Sequence, residues 1–483
     1  MNWKLIIAVF ITHLSFSQTE VGSLYEELPN DSIAPLSVNR HTGIHPMIRT
    51  NNQFKPRFAL KGGIGESKFS ITPAIDAGSM IDNGFSLRFG AGATLTSTDT
   101  KKLYYKITAI QGIGQATSSR FQPKTYIFHP KDSINFNYTD IRGRVSYTPN
   151  HIFNFQAGVD HNFIGEGNRS LLLSDYGKPY PFAKISANFW RFEYMMLYQF
   201  FREETPNNKW KSKYSSSHLL SYNATKWLNF GIFETVIFSP RDTTLNRGYD
   251  AEYLNPIVFY RPQEYSLGSS DNVILGFQFS IKYKKHTLYG QAVLDEFLLS
   301  ELKAHSQWWG NKYGGQLGIK GRFIENNQPF FYRIECNIVR PYTYSHASSS
   351  QNYGNQGYAL AHPYGSNFSE ILGELKWQNK RYIVKGFTSY FVHGADKNDG
   401  FSYGGDLYMS YNIRPYEYHH TIGQGIKNNG VRIMLSAAYL IDKSTNLQLF
   451  TESHLRMNTA YSEPNYQFVI GIRSCLWNDY RNY

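Results

Sequence analysis

The stretch Phe85-Ser86-Leu87-Arg88-Phe89-Gly90-Ala91-Gly92-Ala93-Thr94-Leu95 decides the fold, because its two parities differ in polarity. Phe, Leu and Ala occupy the odd positions, whereas Ser, Arg, Gly and Thr occupy the even ones. Successive side chains of a β-strand point to opposite faces, so one face of this strand suits lipid and the other suits water. The stretch therefore predicts a strand in the wall of a transmembrane β-barrel.

The same alternation recurs along the chain, with bulky apolar side chains on one parity and small or polar ones on the other. The clearest further stretches are 153–160, 277–283, 316–323 and 467–473. Arg88, Lys282 and Arg322 fall on the polar parity. An Arg at the lipid midplane costs roughly 2 to 4 kcal/mol, so charge fixes the register of these strands as well as pairing does. Bulky residues occupy both parities at 228–238 and 371–377, which predicts that a loop or plug covers the inner side of those strands.

The chain opens with the features of a secretory leader. Lys4 precedes the apolar stretch 5–14, and Ser15-Phe16-Ser17 offers a small-x-small cleavage site. We expect residues 1–17 to be a signal peptide. A lipid anchor is not expected, because no cysteine lies near the cleavage site. No later run of about 18 apolar residues occurs, which excludes a helical membrane protein and leaves a closed barrel as the way to span a bilayer.

The composition is rich in aromatic and basic residues. The 37 Tyr, 34 Phe and 8 Trp residues suit the aromatic girdles that barrels place at the two membrane interfaces. The formal net charge of +12 is compatible with attraction of an acidic polymer or anionic lipopolysaccharide, and equally with a solvated basic surface. Cys336 and Cys475 are too few for a disulfide-built scaffold, and we expect both to be structural.

These patterns predict an all-β fold, a transmembrane antiparallel β-barrel of about 18 strands. We expect residues 56–483 to form the outer-membrane barrel with its inward and extracellular loops. Residues 18–55 would form a short periplasmic N-terminal segment, since prolines and acidic residues interrupt any strand pattern there. Asn428-Asn429-Gly430 is a tight-turn signal, which predicts that the next strand begins after it, at Val431.

A polar stretch at 158–175 breaks the alternation that a barrel wall needs. Its glycines permit a sharp backbone turn, and its charged residues would form an ion and hydrogen-bond network inside the lumen. Those charged residues are Asp160, Glu166, Arg169 and Asp175. Two interpretations stay open: the network braces an inward loop, or it forms a polar floor that contacts sugar hydroxyls.

The element Gly165-Glu166-Gly167-Asn168-Arg169-Ser170-Leu171-Leu172-Leu173-Ser174-Asp175 resembles the signature of the Wzi-type capsule assembly proteins, outer-membrane barrels that bind surface polysaccharide. The later segments 253–272, 294–297 and 340–363 are more similar to the branch of that family that includes the gliding motility protein RemB. The resemblance covers most of residues 140–380. It implies a barrel with lectin-like rather than enzymatic activity, although the helical periplasmic bundle of Wzi proteins is not evident before residue 56.

The leading hypothesis is a non-enzymatic outer-membrane barrel that binds surface polysaccharide in capsule or surface assembly, or in gliding motility. The predicted glycan-binding or lumen residues are Asp160, Glu166, Arg169, Asp175, Arg340, Tyr342, Tyr344 and His346. The arginines and tyrosines among them would contact an acidic glycan through charge-assisted bonds and stacking. Trp308 and Trp309 are candidates for stacking on sugar rings, and the alternative is a place in an interface girdle.

Two other classes of function stay open, a diffusion porin and a glycan hydrolase. Asp295, Glu296 and Glu301 offer carboxyl groups, but hydrolysis needs two of them at a separation that sequence spacing does not give. The expected partners are surface polysaccharide, outer-membrane lipid and proteins of a motility or secretion machinery. His346 and His362 lack metal-ligand spacing and the basic residues are scattered, so neither a metal or other cofactor nor nucleic acid is predicted.

Overall fold

A computed structural model describes residues 17–21, 41–51, 59–64, 67–97, 102–204, 210–240, 248–255, 271–443, 445–460, 463–474 and 480. Within these residues, eighteen long strands close into one antiparallel barrel. In chain order they are β1 Ser67–Ile81, β2 Phe85–Ser97, β3 Leu103–Gln115, β4 Asn135–Tyr147, β5 Phe153–Asp160, β6 Tyr180–Phe189, β7 Phe192–Glu204, β8 Trp210–Asn223, β9 Leu228–Phe238, β10 Asn272–Tyr283, β11 His286–Leu294, β12 Tyr313–Glu325, β13 Gln328–Val339, β14 Phe368–Asn379, β15 Tyr382–Ala395, β16 Ile426–Asp442, β17 Leu447–Asn458 and β18 Asn465–Arg473. The predicted all-β barrel of about 18 strands is confirmed. Residues 1–16 of the predicted signal peptide, and Cys475, lie outside the described residues.

The barrel closes where the last strand meets the first. Strand β18 pairs with β1, with Phe468 opposite Ile81. Two short strands lengthen the wall locally: Leu60–Ile64 pairs with β1 and Ile127–Pro130 pairs with β4. Closure satisfies the backbone N–H and C=O groups of the strands without an open edge, which a sheet inside a bilayer requires.

The outer face carries the apolar parity. Phe85, Leu87 and Phe89 of β2 are 50%, 47% and 56% exposed, whereas the inward Ser86 and Arg88 are 0% and 5% exposed. Similar apolar residues cover the outer face of the other strands, and they include Phe153, Phe277, Leu317, Leu375, Phe468 and Ile470. The free thiol of Cys336 also lies on the outward parity. This apolar band on a closed sheet places the barrel in the outer membrane.

The two ends of the barrel differ in the length of their connections. One end has two-residue turns at 190–191, 284–285, 326–327 and 380–381. Asn326 and Asn327 both have positive φ (49° and 59°), which matches the twist of a tight hairpin. The other end has the long connections 116–134, 161–179, 239–271, 295–312, 340–367 and 396–425. Barrels of the outer membrane place short turns in the periplasm and long loops outside the cell, so the long loops mark the extracellular end.

A plug fills the lumen where the sequence breaks its alternation. Residues 161–179 fold inward, and Leu171, Leu172 and Leu173 are completely buried. They pack with the inward residues of β8 and β9, among them Phe233. The predicted cover on the inner side of β9 is therefore confirmed. At 371–377 the inward Leu372 instead packs on residues of the neighbouring strands β15 and β16.

The outer side of β9 is covered as well. Val236 and Phe238 point outward and are fully buried against Tyr253, which lies on the loop after β9. The Ser216 hydroxyl of β8 donates to the Tyr253 carbonyl at 2.7 Å. The part of the loop around Tyr253 thus covers the outer face of β9 at Val236 and Phe238.

Part of the N-terminal segment joins the plug. Ile44–His45 pairs with Phe163–Ile164, and His41 Nδ1 lies 2.7 Å from the Ser221 hydroxyl of β8. Ser17–Val21 pairs with Met47–Asn51. Within the predicted periplasmic segment, the described residues His41 to His45 therefore lie inside the barrel. Residues 22–40 and 52–55 of that segment lie outside the described residues.

The remaining described elements are short. They are the helix α1 Leu299–Lys303, the 3₁₀ turns Ser119–Phe121, Ala251–Leu254, Ser349–Gln351 and Tyr411–Ile413, and the paired strands Gly354–Asn355 and Tyr358–Ala359. In the described part of the chain, no helix is both long and apolar enough to cross a membrane. The turn predicted at 428–430 is wrong, because β16 already begins at Ile426 and pairs there with β15.

Candidate functional site

The plug is attached to the barrel wall by buried ion pairs. The residues that form these pairs and their immediate partners, termed the deep network, are Glu166, Arg169, Lys320, Arg333, Glu335, His362, Glu370, Glu374 and Lys385. At its centre, Arg169 Nε lies 3.4 Å from Glu370 Oε2, and the two side chains are 1% and 0% exposed. The backbone N–H groups of Asn168 and Arg169 donate to the Glu335 carboxylate at 2.8 and 3.2 Å. One turn of the plug is thus held by carboxylates from β13 and β14.

A histidine completes the pairing of Glu370. His362 Nε2 lies 2.9 Å from Glu370 Oε2, and its Nδ1 accepts the Tyr364 backbone N–H at 3.1 Å. Burial lowers the pKa of His362 to about 4, so the ring is neutral near pH 7 and donates through Nε2. The ring stacks on Phe368 at 4.1 Å between centroids. The extracellular loop 340–367 is thereby locked onto the same carboxylate that holds the plug.

Two more carboxylates anchor the lower part of the plug and its surroundings. Glu374 pairs with Arg333 at 3.2 Å and with Lys385. Glu166 lies 2.8 Å from Lys320 Nζ on β12 and accepts from the Thr42 hydroxyl. Burial opposes ionisation of Glu166, but the attraction of Lys320 and Lys282 outweighs it and lowers the pKa of Glu166 to about 2. Glu166 is therefore a charged brace at neutral pH.

The four charged residues predicted to form one network each have a separate partner. Asp160 lies 3.0 Å from Arg144, and Asp175 accepts from the Tyr480 hydroxyl. Glu166 and Arg169 pair with wall residues, as described above. This geometry is that of braces on an inward segment, and the guanidinium of Arg169 presents no exposed surface in this arrangement.

Two tyrosines tie the extracellular loop 340–367 to the apolar part of the plug. The Tyr344 hydroxyl donates to the Leu171 carbonyl at 2.7 Å, and the Tyr353 hydroxyl donates to the Leu172 carbonyl at the same distance. Both tyrosine side chains are fully buried. Tyr344 is therefore placed as a brace as well.

A second group of aromatic and charged residues lies at the extracellular end. This group, termed the mouth cluster, consists of Asp295, Glu296, Trp308, Trp309, Lys312, Arg340, Tyr342, Tyr411, Arg414, Tyr416, Glu417 and Tyr418. Trp309 is its centre: its ring lies 4.8 Å from that of Tyr411, and the Arg414 guanidinium lies over it at 4.2 Å. The indole N–H of Trp309 donates to Glu417 at 2.8 Å, and Glu417 also pairs with Arg414.

Several predicted residues meet around this centre. Arg340 donates to the Trp308 carbonyl at 3.1 Å, and Tyr342 meets the edge of Trp309 at 6.1 Å. His346 packs against Tyr411 at 5.7 Å. Tyr342 is fully buried and supports the cluster from below, because its hydroxyl donates to the Ser402 carbonyl. The two tryptophans thus lie on the mouth loops rather than on the outward face of a strand.

Two of the three acidic residues considered for hydrolysis share one ammonium group. Lys312 Nζ lies 3.5 Å from Asp295 and 3.1 Å from Glu296, and it also lies 4.6 Å from the Tyr411 ring centroid. Burial raises the pKa of Asp295 to about 6, against the opposing attraction of Lys312. Asp295 also accepts the Tyr344 backbone N–H at 2.8 Å, which makes it a support of the mouth loop. Glu301 lies apart from this pair in sequence, on α1.

The exposed rings of the mouth cluster come from a segment that the sequence interpretation did not select. Tyr416 and Tyr418 are 42% and 44% exposed, and Trp308 is half-buried. Arg414, Glu417 and Tyr411 belong to the same segment. The available signal was the run Tyr416-Glu417-Tyr418-His419-His420, which is too aromatic for an ordinary solvated loop.

The sequence matches no protein-family model and no curated protein. Among solved structures it is similar to Wzi of Escherichia coli, described as an outer-membrane protein involved in group 1 capsule assembly and a carbohydrate-binding β-barrel. That match has 12% identity and a TM-score of 0.55 over 84% of each chain. OprD of Pseudomonas aeruginosa matches with 9% identity and a TM-score of 0.46, over 87% of this chain and 96% of that one. OccAB1 of Acinetobacter baumannii matches with 8% identity and a TM-score of 0.45, over 87% and 99%.

The fold is that of an outer-membrane β-barrel. At such low identity the likeness to Wzi shows the fold alone. What the barrel binds has to be argued from the side chains of this chain.

Proposed function

We propose that this outer-membrane barrel binds surface polysaccharide at the mouth cluster, in capsule or surface assembly or in gliding motility. The observation that carries the proposal is a set of exposed rings beside fixed polar groups at the extracellular end. Trp308, Tyr416 and Tyr418 offer apolar ring faces, and Arg414 and Glu417 offer hydrogen bonds to hydroxyl groups. Sugar rings have apolar C–H faces and polar edges, and they are matched by this combination.

Contacts within the chain hold the site in place without a ligand. Trp309 is held by Glu417, Arg414 and Tyr411, and this arrangement fixes the segment that carries Tyr416 and Tyr418. Ordering a loop on binding costs free energy, so a mouth that is already ordered binds more tightly. The carbohydrate binding described for Wzi, which has a similar fold, supports the same class of ligand here.

The plug favours a binder over a diffusion porin. Leu171 to Leu173 are fully buried inside the barrel, and the deep network fastens the adjoining segment to β12, β13 and β14. A porin instead keeps a water-filled lumen. A glycan hydrolase is disfavoured as well, because Asp295 and Glu296 are both engaged by Lys312 and do not face each other across a cleft.

The test is retention of the purified, detergent-solubilised barrel on immobilised surface polysaccharide from the organism that encodes it. We expect the double variant Tyr416→Ala, Tyr418→Ala to lose retention, since it removes the exposed rings. Tyr466→Ala is the matched control, because Tyr466 is a 66% exposed tyrosine on the outward face of β18 and does not belong to the mouth cluster. Equal retention of the mouth variant and the control would contradict the proposal.

The biological role is tested separately in a deletion strain. Loss of surface polysaccharide with normal colony spreading would assign the barrel to capsule or surface assembly. Loss of spreading with normal polysaccharide would assign it to motility, together with partner proteins of that machinery. Normal results in both assays would contradict both roles.

A further inference from the structure

We propose that residues 297–302, on the extracellular loop between β11 and β12, insert into the outer leaflet of the surrounding membrane and form a lipid-binding surface beyond the barrel wall. This stretch is termed the apolar segment, and its large apolar residues are Phe297, Leu298, Leu299 and Leu302. The inference goes beyond the proposed function and does not rest on it, because the partner is the acyl-chain region of the bilayer rather than a glycan.

The first support is the concentration of exposed apolar side chains. Phe297, Leu298, Leu299 and Leu302 are 40%, 46%, 52% and 39% exposed. Within the loops that the structure describes, no other stretch of six residues exposes four large apolar side chains. Single exposed apolar residues are ordinary on a protein surface, whereas a contiguous patch marks a surface that binds an apolar partner.

Helix α1 carries two of these leucines and does not bury them against the barrel. Leu299 and Leu302 are three residues apart, so they share one side of the helix, away from Ser300. No residue of α1 is buried. The helix therefore leaves an apolar face largely open.

The second support is the depth at which the apolar segment leaves the wall. Strand β11 has nine residues, and about 9 to 11 residues are needed to span the hydrocarbon layer. Its last residue, Leu294, therefore lies at the extracellular edge of that layer. The ladder continues for one further step, where the Lys312 N–H donates to the Glu296 carbonyl at 2.9 Å, and Phe297 follows directly. The apolar segment thus begins at the membrane surface.

The third support is continuity with the lipid-facing wall. Leu294 points outward and is 40% exposed, and the outward Ile338 near the extracellular end of β13 is 47% exposed. The apolar band of the outer wall therefore reaches the rim of the barrel here, and the apolar segment continues it. Helices that lie at a membrane surface bury their apolar face roughly 5–10 Å into the boundary between headgroups and acyl chains.

The base of the apolar segment is fixed to the rest of the chain. The Leu298 N–H donates to the Asn311 side chain at 2.7 Å, and the His419 N–H donates to the Ser306 carbonyl at 3.2 Å. A surface that is already held on both sides loses less conformational freedom when it binds. Insertion therefore needs little rearrangement of the loop.

The experiment measures the environment of α1 in the full-length barrel, reconstituted into phosphatidylcholine vesicles. In a background of Cys336→Ser and Cys475→Ser, the variant Leu299→Cys carries an environment-sensitive NBD fluorophore. We expect blue-shifted emission, strong quenching by lipids with a nitroxide on the acyl chain, and weak quenching by aqueous iodide. Leu294→Cys, on the outward face of β11, is the lipid-facing reference, and Asn398→Cys, on an exposed part of loop 396–425, is the water-facing reference.

A second comparison tests whether the leucines cause the insertion. The fluorophore is placed on the exposed position 300 through Ser300→Cys, either with the native leucines or together with Leu299→Gln and Leu302→Gln. Because no residue of α1 is buried, these changes leave the packing of the barrel intact. We expect quenching by the nitroxide lipid to fall several-fold when the leucines are replaced.

The inference is overturned if the fluorophore at position 299 behaves like that at position 398, which would place the apolar segment in water. It is also overturned if the emission is blue-shifted without quenching by the nitroxide lipid, since the patch would then bind protein, such as a second copy of this chain. Equal lipid quenching at position 300 with and without the leucines would contradict their role. These measurements use no polysaccharide, so their failure is distinct from failure of the proposed function.

Discussion

The deep network and the mouth cluster use the same kinds of side chain for different ends. In the deep network the charged atoms face one another, as in the Arg169–Glu370 pair, whose side chains are almost fully buried. In the mouth cluster the Arg414–Glu417 pair is partly exposed, at 19% and 50%, beside the open rings of Tyr416 and Tyr418. Charge inside this barrel therefore holds the plug, whereas the mouth cluster leaves charged and aromatic side chains open to solvent.

We expect the largest loss of stability from a substitution that breaks the deep network. Arg169→Ala leaves the buried Glu370 without its guanidinium partner, and we expect the free energy of unfolding to fall by roughly 3 to 5 kcal/mol. Arg414→Ala is the matched change at the mouth, where we expect about 0 to 1 kcal/mol because solvent screens the pair. Denaturant unfolding in detergent measures both. Similar losses for the two variants would contradict the distinction between the regions.

Acidification should change the stability contributions of the two regions with opposite sign. The pKa of His362 is lowered to about 4 in the folded state by burial, from its ordinary value of 6.5, so stability falls as pH decreases from about 6.5 to 4. The pKa of Asp295 is raised to about 6 by burial, so its contribution to the free energy of unfolding becomes more stabilising as the pH falls over a similar range.

We expect the His362 effect to be on the order of 2 kcal/mol, and it should disappear in His362→Gln. Unfolding midpoints at pH 7, 5.5 and 4.5 measure it, with Asp295→Asn as the variant that removes the opposing contribution. A His362→Gln variant that keeps the full loss of stability on acidification would refute this assignment.

The smallest effect concerns a single hydroxyl group. Tyr344→Phe removes the hydrogen bond to the Leu171 carbonyl and leaves a buried acceptor, and we expect a loss of about 1 kcal/mol with unchanged polysaccharide retention. Tyr416→Phe removes the hydroxyl of a residue that is 42% exposed, and we expect stability to stay nearly unchanged. Loss of retention in Tyr344→Phe would place recognition in the plug instead of the mouth.

Short-range pattern was sufficient to predict the wall. The alternation at 85–95 predicts the side of the sheet on which Phe89 and Arg88 lie, because a strand has a period of two and the environments on its two faces differ strongly. The bulky residues on both faces of β9 predicted that a plug covers its inner side. The turn signal at 428–430 failed, because pairing with β15 and β17 outweighs a local preference for a turn.

The sequence pattern did not predict which residues pair over long sequence separations. Arg169 and Glu370 are 201 residues apart, and Trp309 and Glu417 are 108 residues apart, so neither pair has a periodic signature. Loops carry no fixed period, and their partners are set by which strands become neighbours. The glycan-binding roles of Arg169, Tyr342 and Tyr344 stay predictions, and their burial favours Trp308, Tyr416 and Tyr418 as the contacting residues.

The most direct test of a braced plug beneath a binding mouth is the ionic conductance of the wild-type barrel in a planar bilayer. We expect no current at moderate voltage, because the plug is fastened to β12, β13 and β14 and packs on β8 and β9. Stable open-channel currents of porin size, measured on the folded wild-type protein, would contradict it.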